Sequence, residues 1–162
     1  MLWRWVNDPA VRQASFQTEP IAWAEHEVWF RGKQNDRNCH QYIAAEERGQ
    51  HVGQIRFDIH AMLAEIDYSI DERFRGQGFG AALLKNGITQ LMRDIKRPLI
   101  LQGSVKKENR KSRHLFEKAG FIRLNQKQET QFDEENKGRC VYRLRVTPAY
   151  TEEIAERQAV PI

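Results

Sequence analysis

The stretch Arg75-Gly76-Gln77-Gly78-Phe79-Gly80 decides how this sequence folds. It separates an alternating apolar–polar run, Leu63–Ile70, from a segment whose apolar residues recur every three or four positions. Alternation is typical of a half-buried strand, and the longer period is typical of a helix. The stretch is therefore predicted to be a glycine-rich turn between a strand and a helix.

Such a turn is suited to a phosphate group. The first turn of a helix has N–H groups without intrahelical partners and a positive dipole end. Glycines let the backbone approach a ligand closely, and Arg75 adds a full charge. We therefore expect Arg75, Gly76, Gln77, Gly78, Phe79 and Gly80 to hold a pyrophosphate, the plain alternative being a tight turn without a ligand.

Two other phosphate-binding motifs are excluded. A Walker loop needs Gly-Lys-Ser/Thr, which is absent. Gly76, Gly78 and Ala81 match the dinucleotide pattern G-x-G-x-x-A, but the next strand should then end in an acidic residue. The strand at 99–103 has none, and the strands before the loop form an antiparallel meander, so NAD binding is rejected.

The remaining periodicity predicts a mixed sheet flanked by helices, an α+β or layered α/β domain. Helices are expected at 3–11, from Pro20 to about Gly32, at 79–95 and at 109–120; strands are expected at 41–45, 51–59, 63–70, 99–101, 121–124 and 141–146. Asn109 is the expected N-cap of the last helix, and Gly120 its left-handed end. A charged turn is expected at 126–138.

Composition narrows the class of protein. The 162 residues fit one domain, 1–147, followed by a polar tail at 148–162. No apolar run has the roughly 18 residues of a membrane span, and no signal peptide is evident. The net charge of +4 comes from interspersed charges, which do not indicate a nucleic-acid partner. We expect a cytoplasmic protein with neither a membrane nor a nucleic-acid partner.

The cysteines indicate neither a disulfide nor a metal site. Cys39 and Cys140 lie far apart, as expected of reduced thiols in a cytosolic protein. Cys39 and His40 are two adjacent candidate ligands, and the second pair of ligands that a zinc motif needs is absent. We therefore expect no metal.

Two blocks resemble the GCN5-related N-acetyltransferase (GNAT) superfamily. Arg75, Gly78 and Gly80 match its cofactor signature Q/R-x-x-G-x-G/A. The segment at 109–121 is similar to N-x-x-[SA]-x-x-x-[YF]-x-k-x-G-F, through Asn109, Ser112, Phe116, Gly120 and Phe121. One helix and one strand separate the blocks, as in the family.

The resemblance implies acetyl-CoA as cofactor and direct attack by an amine in a ternary complex. Two parallel strands, 63–70 and 99–105, should splay apart around the pantetheine arm. The backbone from Tyr68 to Ile70 would pair with that arm, and the loop amides would hold the pyrophosphate. Asn109, Ser112 and Phe116 would lie beside the cofactor.

The resemblance also indicates the catalytic groups. Glu65 is the expected general base, because some members use a glutamate on this strand; the alternative is an ordinary surface residue. Many members have a tyrosine acid at the position of Phe116, and a phenyl ring cannot donate a proton. Tyr68, another group or solvent would then protonate the thiolate, or it leaves unprotonated.

The N-terminal segment is similar to acetyltransferases of amino-sugar biosynthesis, notably the pseudaminic acid pathway type. It matches W-R-N-D-P-x-V-R and I-x-x-x-x-H, which implies a 4-amino UDP-sugar as acceptor. Asn7, Arg12, Trp23 and His26 would contact it, unless they act as caps or packing residues. The basic segment at 106–118 favours an anionic acceptor.

A protein N-terminus, a polyamine or an aminoglycoside is the alternative acceptor. A non-catalytic acyl-CoA-binding module is a third possibility.

The resemblance covers about residues 3–146. Relatives begin with a strand and half a helix before the tryptophan segment, so we expect a fragment, half of a fusion, or a late start. A missing first strand would expose a sheet edge, so a homodimer is expected.

Overall fold

The computed structural model describes residues 1–124 and 138–150. The helices are α1 (Leu2–Val6), α2 (Pro9–Ala14), α3 (Trp23–Asn35), α4 (Phe79–Ile95) and α5 (Arg110–Lys118), with a 3₁₀ turn at Glu72–Phe74. The strands are β1 (Cys39–Ala45), β2 (His51–His60), β3 (Leu63–Ile70), β4 (Leu99–Lys106), β5 (Ile122–Arg123) and β6 (Arg139–Val146). The predicted turn at 126–138, except Gly138, and most of the tail after Pro148 lie outside the described residues.

The strands form one six-stranded sheet in the order β1-β2-β3-β4-β6-β5. Its pairs are antiparallel except β3 with β4, which are parallel. The predicted mixed sheet flanked by helices is confirmed. β1 forms one edge and pairs only with β2 among the described strands, so the homodimer expectation stays a prediction.

The parallel pair β3–β4 separates partway along its length. Pairing begins at Leu63↔Ile100 and stops at Ile66↔Gly103. β3 nevertheless continues to Ile70, and β4 continues to Lys106, along β6. The expected splay is therefore present, and it opens toward the glycine-rich loop.

The core lies on the face of the sheet that α4 and α5 cover. Leu84, Ile88 and Leu91 of α4 are buried there with Ile55 and Phe57 of β2. Phe116 of α5 is 2% exposed and lies against Gly103, where an added Cβ would be 2.4 Å from the ring's Cζ. The helix-period residues of the sequence thus supply one side of this core.

The predicted helix at 3–11 is wrong in one respect, since it is two helices with a break at Asn7-Asp8. The Asp8 Oδ1 atom accepts hydrogen bonds from the amides of Ala10 and Val11, at 3.0 and 3.1 Å. Pro9 follows at the first helical position. An N-cap aspartate followed by proline starts a new helix, which explains the break.

The predicted helix from Pro20 also begins late. α3 starts at Trp23 and continues past Gly32 to Asn35. The Asn7 side chain accepts from the Ile21 amide at 2.7 Å and donates to its carbonyl at 3.0 Å. These bonds hold the backbone before Trp23 outside the helix, and no local pattern near Pro20 predicts them.

The described residues contain no helix long and apolar enough to cross a membrane. Cys39 and Cys140 are both free thiols.

A buried hydrogen bond fastens α1 to the sheet. Trp5 is 5% exposed, and its Nε1 donates to Asp71 Oδ2 at 2.8 Å, just beyond β3. Asp71 also accepts from the Arg73 side chain and amide. These bonds, that from the Arg73 side chain most of all, outweigh burial and hold the pKa of Asp71 well below its usual range.

We expect Trp5→Phe to destabilise the fold by about 1–3 kcal/mol at pH 7, because Asp71 loses a donor while staying buried. A depressed pKa contributes stability above the unfolded-state pKa of about 4, and this contribution is lost as pH falls. The difference in the free energy of unfolding between wild type and variant should therefore become smaller below about pH 4. Urea unfolding at several pH values measures it, with the exposed Trp23→Phe as control. If this difference in the free energy of unfolding did not change with pH, the lost stability would be due to packing alone.

Gly103→Ala tests the contact under the splay. The new Cβ would overlap the Phe116 ring, which stacks on Tyr142 and cannot swing away. We expect a loss of about 1–3 kcal/mol in urea unfolding, the usual cost of overpacking. Gly32→Ala is the matched control: it has open space in a helix and should gain about 0.5–1 kcal/mol. Equal effects at the two sites would contradict the packing.

Candidate active site

The glycine-rich loop has the backbone geometry of an anion site. Gly76 and Gly78 have φ values of +76° and +85°, which disfavour any residue with a Cβ. Gly78 is the N-cap of α4, and the first intrahelical bond is donated by Ala81 at 3.1 Å. The amides of Phe79 and Gly80 precede that bond, so this helix start fits a pyrophosphate.

The side chains of the loop are directed toward the protein. Arg75 Nε donates to the Ile70 carbonyl at 2.9 Å, and its Nη2 pairs with Asp8 Oδ1 at 2.8 Å. Gln77 donates to the Arg73 carbonyl at 2.7 Å. The loop is thus braced by its polar side chains. The charge of Arg75 is compensated by Asp8 in this arrangement.

Below the splay, two hydroxyl groups connect the strand to the helix. Tyr68 of β3 donates from its Oη to Ser112 Oγ on α5 at 2.8 Å. Burial raises the pKa of Tyr68, and the charge of Asp67 adds to this against the opposing bond to Ser112. The phenol is therefore protonated at neutral pH. It lies beside the gap that opens between β3 and β4.

Phe116 and Asn109 have structural contacts in α5. The Phe116 ring stacks on Tyr142 at 5.7 Å and meets Phe121 and Tyr68 edge-on, at 4.9 and 6.1 Å. Asn109 Oδ1 accepts the Ser112 amide at 3.1 Å, which is the predicted cap. Phe116 packs the predicted cofactor side of the core but supplies no proton.

Glu65, Asp67 and Ser69 lie on the opposite face of β3, where Glu65 and Asp67 are exposed and Ser69 is buried. Glu65 faces Asp58 of β2 and Gln102 of β4, one pair before the splay. Its side chain is exposed and has no hydrogen-bond or ion-pair partner among residues 1–124 and 138–150. Asp67 differs, since it accepts from Gln54 at 3.0 Å and lies 3.6 Å from Arg56.

Helix α3 covers the other half of this face. Lys33 pairs with Asp58 at 2.6 Å, and Arg56 pairs with Asp58 at 2.9 Å. Burial acts to raise the pKa of Asp58, but the two cations outweigh it and lower that pKa. Arg56 also lies 4.9 Å from the ring of Trp29. These charges are neutralised locally, whereas Glu65 on the same face has no ion-pair partner in the described part of the chain.

Two of the four predicted acceptor residues have structural partners, although the buried Nε of Arg12 has none among the described residues. Asn7 bonds the backbone of Trp3 and Ile21 through both side-chain atoms. Arg12 is 9% exposed and donates to the Glu19 carbonyl and Ser15 Oγ, both at 3.2 Å. The alternative of caps and packing fits both arrangements better than contact with a ligand.

The other two residues lie in an aromatic cluster. His26 is 6% exposed and lies near Trp23, Trp29 and Phe30, with centroids 5.3–6.3 Å apart. Burial lowers the pKa of His26, which favours a neutral ring. Trp23 is 58% exposed and remains accessible.

Sequence reasoning identified Lys106 in a basic segment but missed Arg139 and Arg143, which share the open face with Glu65. Register places Arg143 beside Gln102, which accepts from it at 2.8 Å, and Arg139 beside Lys106. The alternation of β4, in which Gln102, Ser104 and Lys106 share a face, carried this signal. The longest predicted extent of this strand, 99–105, ended before Lys106 and was not paired with the strand at 141–146.

Comparison with known proteins agrees with this geometry. Residues 1–122 match the family model Acetyltransferase (GNAT) domain. The Bacillus subtilis (strain 168) protein YwnH, provisionally named a phosphinothricin acetyltransferase, is 30% identical over 118 residues, 69% of this chain and 70% of that protein.

Solved structures share the fold. A spermidine N-acetyltransferase from Vibrio cholerae, in complex with CoA and spermine, superposes with a TM-score of 0.73 at 18% identity, covering 93% of this chain and 90% of the other. A domain from Methanocaldococcus jannaschii DSM 2661 gives 0.71 at 20% identity, covering 90% of each. With its glycine loop and splayed strands, this chain belongs to the GNAT acetyltransferase family and is an acetyl-CoA-dependent N-acetyltransferase.

Proposed function

We propose that the protein acetylates the primary amine of a small molecule that also carries an anionic group. The observation that carries the proposal is the open sheet face beside the splay. There an unpartnered carboxylate, Glu65, shares the surface with the cations of β4 and β6. The amine attacks directly, in a ternary complex, so orientation provides much of the rate.

The proposed cofactor residues form a continuous site for acetyl-CoA, from the glycine-rich loop to the edge of β3. The amides at 76–80 would hold the pyrophosphate, and the unpaired edge of β3 from Tyr68 to Ile70 would bond the pantetheine arm. Asn109, Ser112 and Phe116 would border the arm from α5. When bound, the cofactor supplies an acyl group activated as a thioester. With the arm in the gap after Ile66 and Gly103, that group would lie beside the open face.

Glu65 is the proposed general base. An amine is mostly an ammonium at neutral pH, and it must lose a proton before it can attack. Glu65 lies on the open face one residue before the gap, with no cation to hold its charge. Asp67 and Ser69 extend the same face and could carry a water-bridged proton path.

Tyr68 is the proposed source of the proton for the departing thiolate. Its raised pKa keeps the phenol protonated, and Ser112 fixes its orientation from the far side of the gap. Tyr68 would thus take the role of the tyrosine that many family members have at the position of Phe116. In this proposal the thiolate receives its proton from the Oη atom of Tyr68 on β3, and not from a residue of α5.

The charges beyond Glu65 favour an anionic acceptor. Lys106, at the end of β4, and Arg139 and Arg143, at the start and middle of β6, lie on the same side of the sheet. An acceptor could place its amine at Glu65 and its phosphate or carboxylate near these cations. A 4-amino UDP-sugar has both groups, and exposed Trp23 offers a ring for its base. Phosphinothricin, named for the Bacillus subtilis relative, is also an anionic amine.

A polyamine is the second candidate. Glu65 and Asp67 are two exposed carboxylates on one strand face, an arrangement that attracts a polycation. The solved structure from Vibrio cholerae is of a spermidine N-acetyltransferase. The cations of β4 and β6 disfavour this substrate relative to an anionic amine.

Thiol release from acetyl-CoA distinguishes the substrates. The panel is a UDP-4-amino sugar, phosphinothricin, spermidine, an aminoglycoside and a short peptide. Turnover concentrated on the anionic amines supports the proposal, and preference for spermidine replaces it with the second candidate. If all fail while CoA binds, the chain is a non-catalytic acyl-CoA-binding module.

With the best acceptor, Glu65→Gln should lower kcat by about 10²–10⁴-fold, the usual contribution of a general base. The Kd for CoA, measured by calorimetry, should not change, since Glu65 faces away from the cofactor loop. Glu47→Gln, an exposed residue in the β1–β2 turn, is the matched control. Full activity in Glu65→Gln would remove the residue from the mechanism.

Tyr68→Phe should lower kcat by about 10²-fold, the lower end of the range for a general acid, because a thiolate is a fair leaving group. The loss should be smaller with an acyl donor whose thiol has a lower pKa. Tyr42→Phe, which removes a phenol bonded to Asp94 on the opposite side of the core, serves as control. An equal loss with every donor would indicate a positioning role instead.

A further inference from the structure

The segment from Pro9 to Phe16, here called the strap, crosses the mouth of the splay. It consists of α2 and the turn that follows. On one side the strap is fastened to the cofactor loop. Arg75 pairs with Asp8 at the start of α2 while its Nε holds the carboxyl end of β3 at Ile70. Asp8 simultaneously caps α2, so one carboxylate joins the helix to the loop.

On the other side the strap is fastened to the end of β4. Lys106 Nζ donates to the Gln13 carbonyl at 2.8 Å. Arg139, which pairs with Lys106 in register, stacks over Phe16 with its Cζ 4.0 Å from the ring centre. Lys106 is the last residue of β4 and Arg139 is the first of β6, so both contacts lie beyond the point where β3 and β4 part.

The length of the strap matches the gap that it crosses. Two strands with room for one extended chain between them are about 10 Å apart, twice the usual strand spacing. From Asp8 to Gln13 the helix advances about 7–8 Å. The Arg75 and Lys106 side chains supply the remaining reach. A strap of this length can therefore cross a gap wide enough for one extended cofactor arm.

The contact at Asp8 is shielded more than a surface ion pair. The side chains of Arg75 and Asp8 are 33% and 14% exposed, whereas Arg31 and Glu27 on α3 are 74% and 41% exposed. Exposed pairs contribute little, and partial burial strengthens the attraction. The guanidinium also has two bonds on two elements, which fixes its orientation.

We propose that Asp8, Arg75 and Lys106 are positioning residues that couple cofactor binding to the acceptor site through the strap. The inference rests on the proposed placement of the cofactor arm in the gap. The width of the gap sets the position of the strap, and the strap borders the open face on which Glu65 lies. Coupling of this kind is reciprocal between the two ligands.

Calorimetry with CoA tests the coupling without turnover. Asp8→Asn keeps an N-cap but removes the charge, and Lys106→Met removes the bond to Gln13. Each should raise the Kd for CoA by about fivefold or more, the lower end of usual coupling between sites. Asp36→Asn, which also caps a backbone amide, and Arg93→Met, at the far end of α4, are the matched controls and should leave Kd unchanged.

Hydrogen exchange supplies a second measurement. In the wild type, CoA should slow exchange of the strap amides at 10–16, and in Asp8→Asn and Lys106→Met this protection should disappear. With an accepted amine, the same variants should raise its KM more than they lower kcat. Lys106→Arg, which retains a donor, should restore the wild-type values.

Two results would overturn the proposal. One is an unchanged Kd for CoA and unchanged strap protection in both variants. The other is a lower Tm without any change in Kd, since that would show a purely structural contact. Failure of every amine in the acceptor panel would count against the proposed function but would leave these CoA measurements intact.

Discussion

The parting of β3 and β4 after Ile66 and Gly103 is the constraint on which the rest of the molecule depends. Two parallel strands that stop pairing leave unsatisfied N–H and C=O groups at their facing edges, which is costly unless a ligand or solvent satisfies them. The protein stabilises this opening from both sides. Tyr68 and Ser112 join its lower border, and the segment from Pro9 to Phe16 crosses its upper border.

Much of this architecture could be predicted from the sequence, because its signals are local. β3 was predicted with its observed bounds since its residues alternate strictly, and α4 follows from a helical period that ends before Pro98. Asn109 and Gly120 act where predicted because caps depend on one residue and its immediate neighbours. The glycine-rich loop lies between β3 and α4, as predicted, because its signal is also local.

What could not be predicted depends on contacts between distant parts of the chain. The late start of α3 follows from Asn7 bonding Ile21, and the partner of Arg75 is Asp8 in a different element. A motif identifies Arg75 as a basic residue at a phosphate loop but does not show which carboxylate neutralises it. The backbone contacts of Asn7 and Arg12 could not be predicted for the same reason, and their expected contact with the acceptor stays a prediction. The open setting of Glu65, by contrast, could be anticipated from strand alternation.

The contact between Phe116 and Gly103 limits which side chain position 116 can accept. The tip of the ring, Cζ, points at the β4 backbone, closely enough that even a methyl group on Gly103 would collide with it. A phenolic oxygen on that carbon would extend into the same strand. Restoring the tyrosine common among relatives would therefore require β4, Tyr142 and Phe121 to repack together. As the core is packed, the β4 backbone leaves no room for a phenolic oxygen at position 116.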